Sequence, residues 1–404
     1  MTPRRQQRPK GQLAKAKQAK QPLARSRRPR RRRRAAITQN NLMMLSEPGL
    51  SFLKCAFASP DSNTDPGKGI PDNFEGKVLS QKNVYTETGV NFSGATTQNV
   101  DTYIIVLPTP GVAFWRCIKT ATAPAQPAAL TTTDVFTAVP FPGDFTSLFG
   151  TTATNRADQV AAFRYASMNF GLYPTCNSTQ YNGGISVWKG AVQMSTTQYP
   201  LDTTPESSQL VHAITGLESA LKVGDENYSE SFIDGVFTQS INGNAEFPFY
   251  PILEGVQTLP GQNVTVAQAG MPFSLDAGAA TVAGFTGIGG MDAIFIKVTA
   301  AAGSVNTATI KTWACIEYRP NTNTALYKYA HDSPAEDIIA LQQYRKVYKS
   351  LPVAVRAKLN ANMWERVKRL LKAGLVAASY VPGPVGGIAT GVQHIGDLIA
   401  ELSF

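Results

Sequence analysis

Between about Leu42 and Tyr327 apolar positions come in short alternating runs separated by Gly, Pro, Ser, Thr and Asn, a texture of strands and turns. The clearest runs are 102–107 (TYIIVL), 112–117, 185–194, 293–299 and 309–318. In the last of these Ile310, Thr312, Ala314 and Ile316 alternate with Lys311, Trp313, Cys315 and Glu317, a period of two that puts the two sets on opposite faces of a strand. Helical periodicity is nearly absent there, so parallel βαβ units are not expected. Many short strands without intervening helices predict a mainly β sandwich or jelly roll.

Near His331 the period changes. Ser333-Pro334-Ala335-Glu336 has the form of a capping box, with Ser333 as cap, Pro334 in the first turn and Glu336 reaching back. Ile338, Ile339, Leu341 and Tyr344 then form one apolar helical face, interrupted at Pro352. A second helical stretch runs on to Val381, where VPGPVGG ends it. Within it Met363, Trp364, Val367, Leu370, Leu371, Gly374, Leu375 and Ala378 fall within an arc of about 140°, with Glu365, Arg366, Lys368, Arg369 and Lys372 opposite. Trp and Leu facing a basic side is the pattern of an interfacial membrane helix. The same stripe equally suits a helix packed on the protein's own core, and both states are open to one helix at different times.

Charge changes the picture at the N-terminus. Residues 1–36 hold 15 Lys/Arg and no Asp/Glu, whereas the rest of the chain has 23 Lys/Arg against 28 Asp/Glu. The densest part is Arg25, Arg27, Arg28, Arg30, Arg31, Arg32, Arg33 and Arg34. A segment this poor in large apolar groups cannot offset its ordering entropy, so residues 1–41 are expected to be disordered when free. Polyarginine neutralises phosphates and releases counterions, giving salt-sensitive binding with little base readout. A nuclear-localisation signal or a solvated tail is the plainer alternative.

Other chemistries are poorly represented. Cys55, Cys117, Cys176 and Cys315 lie far apart, and His212, His331 and His394 have no ligand spacing, which argues against structural zinc. The basic N-terminus lacks the apolar core of a secretory signal, and no uninterrupted apolar run is long enough to span a bilayer. Synthesis in the cytoplasm is therefore expected. No nucleophile–base motif of a conventional hydrolase appears.

Several long words resemble the coat-protein precursors of the insect nodaviruses (alphanodaviruses): Gly49–Val78, Phe163–Thr175 (FRYASMNFGLYPT), Ile252–Pro260, Gly303–Pro320 (GSVNTATIKTWACIEYRP) and Ser350–Lys372. The similarity runs from about Leu45 to Gly387, behind a basic arm of matching character. It implies an eight-stranded antiparallel jelly-roll shell domain over 42–328, an internal helical segment at 329–360, and a membrane-active C-terminal peptide at 361–404. It also implies a virion built as a T=3 icosahedral shell of this one protein, with viral genomic RNA inside, assembled in the host cytoplasm. The host receptor is not identified by any of these words.

The resemblance further implies a single-turnover autoproteolytic event after assembly. The Asn-Ala bond before MWERV is Asn360–Ala361, and the catalytic aspartate matches Asp61. A carboxyl group there would protonate or polarise the Asn360 carbonyl. Either water or the Asn360 side-chain amide would be the nucleophile. Without the resemblance Asp61, after Pro60, would be read as a turn residue. Calcium ions between subunits are implied at Asp158, Glu218, Glu246, Glu254 and the backbone of Gly270, oxygen donors of the kind that cation takes. The pattern departs at Pro248, where an acid is expected, and at Glu218, lengthened from Asp. Of several C-terminal Phe residues linked to RNA selection, only Phe404 remains. Cys55 and Cys315 both fall inside matching words, a pairing that spacing alone leaves open. The competing class is a cellular nucleic-acid-binding β-sandwich without enzyme activity, which would sediment as a small species.

Overall fold

The computed structural model describes residues 45–57, 68–108, 112–129, 137–141, 160–190, 227–244, 246–251 and 291–357, together with Val367 and Arg369. All of them fall in one compact unit spanning Leu45–Ala373. Its elements in chain order are α1 (Glu47–Phe57), β1 (Lys77–Asn91), β2 (Gln98–Val106), β3 (Val112–Thr122), β4 (Thr137–Pro140), β5 (Val160–Pro174), β6 (Gly184–Gly190) and β7 (Asn227–Ser231). They continue with β8 (Val236–Ile241), β9 (Tyr250–Pro251), β10 (Ala293–Ala300), β11 (Thr307–Pro320), β12 (His331–Asp332) and α2 (Ile338–Tyr348).

The strands form two antiparallel sheets. One has the order β12-β1-β11-β5-β8, with β9 also on β5, and the other runs β4-β3-β2-β10-β6-β7. Early strands pair with late ones: Leu79 lies opposite Tyr318 and Val106 opposite Ile294. Such non-local pairing lets the first and last strands share one core, at the cost of closing long loops.

That core lies between the sheets. Ile104 and Val106 of β2, Ile185 and Val187 of β6, and Ile294, Ile296 and Val298 of β10 meet Phe170 and Leu172 of β5 and Ile310, Ala314 and Ile316 of β11. The inward set of β11 is the one its alternation predicts. The five runs named above coincide with β2, β3, β6, β10 and β11, except that 191–194 lies outside the described residues.

Two long strands were less legible. In β5 the inward residues are Phe163 and Tyr165, then Met168, Phe170 and Leu172, so the phase flips midway. The cause is a bulge: Cys315 faces Ser167 while Ile316 faces Tyr165, leaving Ala166 unpaired. The Ala166 carbonyl freed from the ladder accepts from Tyr344 Oη–H of α2 and from the Asn242 amide at 3.1 Å. β1 carries few apolar residues and has its own irregularity between Glu87 and Val90.

Helices α1 and α2 cover the outer face of the β1-β11-β5-β8 sheet. α1 falls inside the region read as strand and turn, so a helix precedes the first strand. Ser46 starts it, its carbonyl accepting the Leu50 amide at 2.9 Å and its hydroxyl the Gly49 amide at 3.0 Å. The N-cap of α2 is Asp337 rather than Ser333: Asp337 Oδ1 accepts the Ala340 amide at 2.9 Å. Ser333 instead donates to the Phe74 carbonyl. The buried face is accordingly Ala340, Leu341, Gln343, Tyr344 and Val347, and Ile338 stays exposed. Asp337 Oδ2 also takes the Ser46 amide at 2.7 Å, so one carboxylate serves both helix starts. A Cβ on Gly49 would lie 2.4 Å from that oxygen, which fixes glycine where the helices touch.

Candidate functional site

Two chain segments distant in sequence are fastened to this sheet, one over its outer face and one along the edge of β8. The first is the end of α1. Cys55 is disulfide-bonded to Cys315 of β11, with Cα atoms 6.4 Å apart. One residue on, Gln239 Nε2 of β8 donates to the Ala56 carbonyl at 2.7 Å. Further along the chain the Ile70 amide donates to Glu317 Oε2 at 2.7 Å. Gly69 makes this approach with φ of +103°, and a Cβ there would stand 2.5 Å from the same carboxylate oxygen.

The second segment follows α2. Phe237 and Val355 exchange both backbone hydrogen bonds, at 2.8 and 2.9 Å, on the edge of β8. Thr238 Oγ1 donates to the Val353 carbonyl at 2.7 Å, and Lys189 Nζ donates to the carbonyls of Gln239 at 2.6 Å and Pro352 at 3.2 Å. Arg356 closes the segment with Nη2 2.7 Å and Nε 3.0 Å from Glu230 Oε1. Ala56 and Val355, 299 positions apart in the chain, are thus held by Gln239 and Phe237, two residues apart on one strand.

The outer face beneath the first segment is buried but polar. Arg164 of β5 is 1% exposed and lies between Asp72 and Glu317, with Nη2 2.6 Å from Glu317 Oε1 and 3.1 Å from Asp72 Oδ1. Its Nη1 also bonds Asp72 Oδ2 and, at 3.1 Å, the Phe247 carbonyl. The guanidinium sits 4.3 Å from the ring centre of Phe249 and 5.5 Å from that of Phe74. Burial raises the Glu317 carboxyl above its ordinary range, and the charge of Arg164 opposes that rise. Nearby, Lys82 stands 5.9 Å from the Trp313 ring centre, and burial lowers its ammonium to about 8. These groups carry no catalytic spacing along the sequence. The available signal was the outward set Trp313, Cys315 and Glu317 of β11, too apolar for a strand face open to water.

The residues expected to carry chemistry divide unevenly. Asp61, Asn360 and Ala361 lie outside the described residues, as do Arg25, Arg27, Arg28 and Arg30 to Arg34, and Met363, Trp364, Leu370, Leu371 and Leu375. Val367 of the amphipathic stretch is helical and 2% exposed, while Arg369, also helical, is exposed. Asp158, Glu218, Glu254 and Gly270 lie outside the described residues too. Glu246 is described: its side chain is exposed and its amide is held by Asn244 Oδ1 at 3.1 Å, leaving the carboxylate as an oxygen donor at the surface. Among the described residues no three His, Cys, Asp or Glu side chains gather to hold a metal ion, and no helix is long and apolar enough to cross a membrane.

Residues 45–401 match the model of the Peptidase A6 family. The chain is 54% identical over 369 residues to capsid protein alpha of Black beetle virus, covering 91% of this chain and 88% of that protein. It is 53% identical to capsid protein alpha of Flock house virus, covering 90% and 86%. Against capsid protein alpha of Pariacoto virus the identity is 37%, covering 91% and 90%.

Proposed function

The chain belongs to the Peptidase A6 family, and from that premise we propose that it is a nodavirus capsid precursor which assembles into a T=3 icosahedral shell and cuts itself once, at Asn360–Ala361. Asp61 supplies the carboxyl group. Its proton or hydrogen bond polarises the Asn360 carbonyl. The C–N bond to Ala361 then breaks, and the new amine leaves with a proton. The other product is a carboxylate if water attacks, or a cyclic imide if the Asn360 side-chain nitrogen does. One precursor makes one cut, so no substrate cleft is needed.

A single observation carries this reading: the anchoring of Ala56 and Val355 on Gln239 and Phe237. Positions i and i+2 of a strand are about 7 Å apart. Asp61 and Asn360 each follow their anchor by five residues, a tether of up to about 17 Å. Their reaches overlap, although 298 residues separate them in the chain.

The remaining parts follow from composition. The Arg25–Arg34 run binds viral RNA through its phosphates. After the cut, residues 361–404 carry the amphipathic stretch to a host membrane, with Arg366, Lys368, Arg369 and Lys372 at anionic headgroups. Asp158, Glu218, Glu246, Glu254 and the Gly270 carbonyl hold Ca2+ between subunits, and the exposed carboxylate of Glu246 fits such an oxygen ligand.

The test is Asp61→Asn in the full-length chain. Particles should sediment as wild type yet show only the precursor band on a gel. Normal processing in that variant would refute the assignment.

A further inference from the structure

The chain has two Asn-Gly steps, Asn182-Gly183 and Asn242-Gly243. Such a step is the peptide linkage most prone to deamidation, because a successor without Cβ leaves its nitrogen free to reach the preceding side-chain carbonyl carbon. The fold treats the two in opposite ways. Asn242 is 1% exposed and its carboxamide is held at both ends: Nδ2 donates to the Tyr165 carbonyl at 3.2 Å and Oδ1 accepts the Asn244 amide at 2.9 Å. Asn182 is exposed, and its carboxamide makes no hydrogen bond among the described residues. What is fixed at Asn182 is the main chain. Its amide donates to Asn306 Oδ1 at 3.2 Å, and its carbonyl accepts from Asn306 Nδ2 at 2.7 Å. Asn306 is fully buried and ties in a further loop, its amide donating to Ser93 Oγ at 2.9 Å and its carbonyl accepting the Phe92 amide at 2.8 Å. Gly183 follows with φ of +116°, and a Cβ there would lie 1.8 Å from the Thr299 carbonyl oxygen. Packing against β10 thus demands glycine after Asn182, which puts the labile successor beside an exposed, unheld carboxamide.

We propose that Asn182 is a site of spontaneous deamidation in the folded subunit, with water as co-reactant, and that Asn242 is its protected counterpart. The Gly183 nitrogen attacks Asn182 Cγ and gives up its proton. The Cγ–Nδ2 bond breaks, ammonia leaves with that proton, and a five-membered imide closes. Water then adds to one of the two imide carbonyls. Opening at Cγ gives aspartate on the original main chain, whereas opening at the former Asn182 carbonyl gives isoaspartate, with the chain routed through Cβ. Either product puts a carboxylate where a neutral amide stood. It stands at a junction of three loops, where the Gly303 amide donates to the Ala95 carbonyl at 2.9 Å and the Val305 amide to the Gln180 carbonyl at 3.0 Å. The reaction needs neither Asp61 nor Asn360, and solvent hydroxide serves as its base.

The experiment incubates the full-length protein at mildly alkaline pH in water enriched in heavy oxygen, once native and once in denaturant. Peptide mass mapping then reads the amide-to-acid change, with its heavy-oxygen label, at each Asn-Gly step. In the native protein Asn182 should convert at least about tenfold faster than Asn242, because freeing the Asn242 carboxamide breaks two buried hydrogen bonds. In denaturant the two steps should convert at like rates, since the fold no longer separates them. Asn182→Gln should abolish the change in its own peptide and leave Asn242 as it was. Absence of label at Asn182 in the native protein, over an interval that converts it in denaturant, would overturn the proposal: the Asn306 clamp would then hold the main chain away from imide closure. Equal native rates at the two steps would overturn it as well, by removing the role of the exposed carboxamide.

Discussion

The two faces of the β1-β11-β5-β8 sheet are chemically opposed. The inner face is a close-packed apolar layer in which Phe170, Leu172 and Ile310 are each 0% exposed. The outer face, under α1 and α2, holds a three-membered ion cluster, a disulfide, a desolvated lysine and a row of orphaned amide and indole groups. An apolar layer of the same volume would stabilise the subunit at least as well, since buried ion pairs rarely outperform hydrophobic packing. The outer face therefore serves something besides stability. Its polar groups hold, at defined points, the segment on either side of Asp61, through Gln239 and Glu317.

The largest test of that contrast is Arg164→Met. Removing the cation leaves the Asp72 and Glu317 carboxylates buried without it, at a cost of about 3–5 kcal/mol in denaturant unfolding. The pH dependence then has a defined sign. Burial already raises Glu317, and only Arg164 and hydrogen bonds oppose it. In the variant the folded state binds a proton more readily than the unfolded state above the ordinary carboxyl range. The deficit should shrink as pH falls from 8 toward about 5, opposite to ordinary acid denaturation. On the inner face, Phe170→Ala should cost about 3–5 kcal/mol through its cavity, with a deficit that does not change with pH over that interval. Equal pH profiles in the two variants would erase the distinction between the faces.

Two smaller changes sharpen the comparison. Breaking the Cys55–Cys315 bond by Cys55→Ser should cost about 2–4 kcal/mol and make the end of α1 more open to hydrogen exchange than the inner strands. Tyr344→Phe should cost about 1–2 kcal/mol, because the phenol loses the Ala166 carbonyl and the Asn242 amide loses an acceptor at 2.9 Å. Exchange at Asn242 should quicken in that variant, while amides of β10 keep their protection.

The same contrast explains what could be read from residues alone. Strands with one alternating apolar set, such as β10 and β11, were legible because periodicity reports the inner face directly. β5 was not, because the bulge at Ala166 interrupts its alternation, and that bulge is stabilised by Tyr344, 178 positions away. α1 and the cap of α2 depend on Asp337 meeting Ser46 across 291 positions, a contact invisible to local propensity. Asp61 and Asn360 are proposed from resemblance alone, since a lone aspartate and a lone asparagine carry no spacing signal. Arg164, Gln239 and Asn169 gave none either, because their partners belong to other strands and to the helical layer.

The central proposal is that the outer face and the edge of β8 hold the neighbourhoods of Asp61 and Asn360 within reach of each other, so that the chain cuts itself in the finished shell. Intact-mass measurement on purified particles, set beside unassembled subunits from the same preparation, tests it most directly. Particles should contain species of residues 1–360 and 361–404, with subunits retaining the full 404-residue mass. Particles holding only the uncut chain, or free subunits cut as fast as particles, would contradict it.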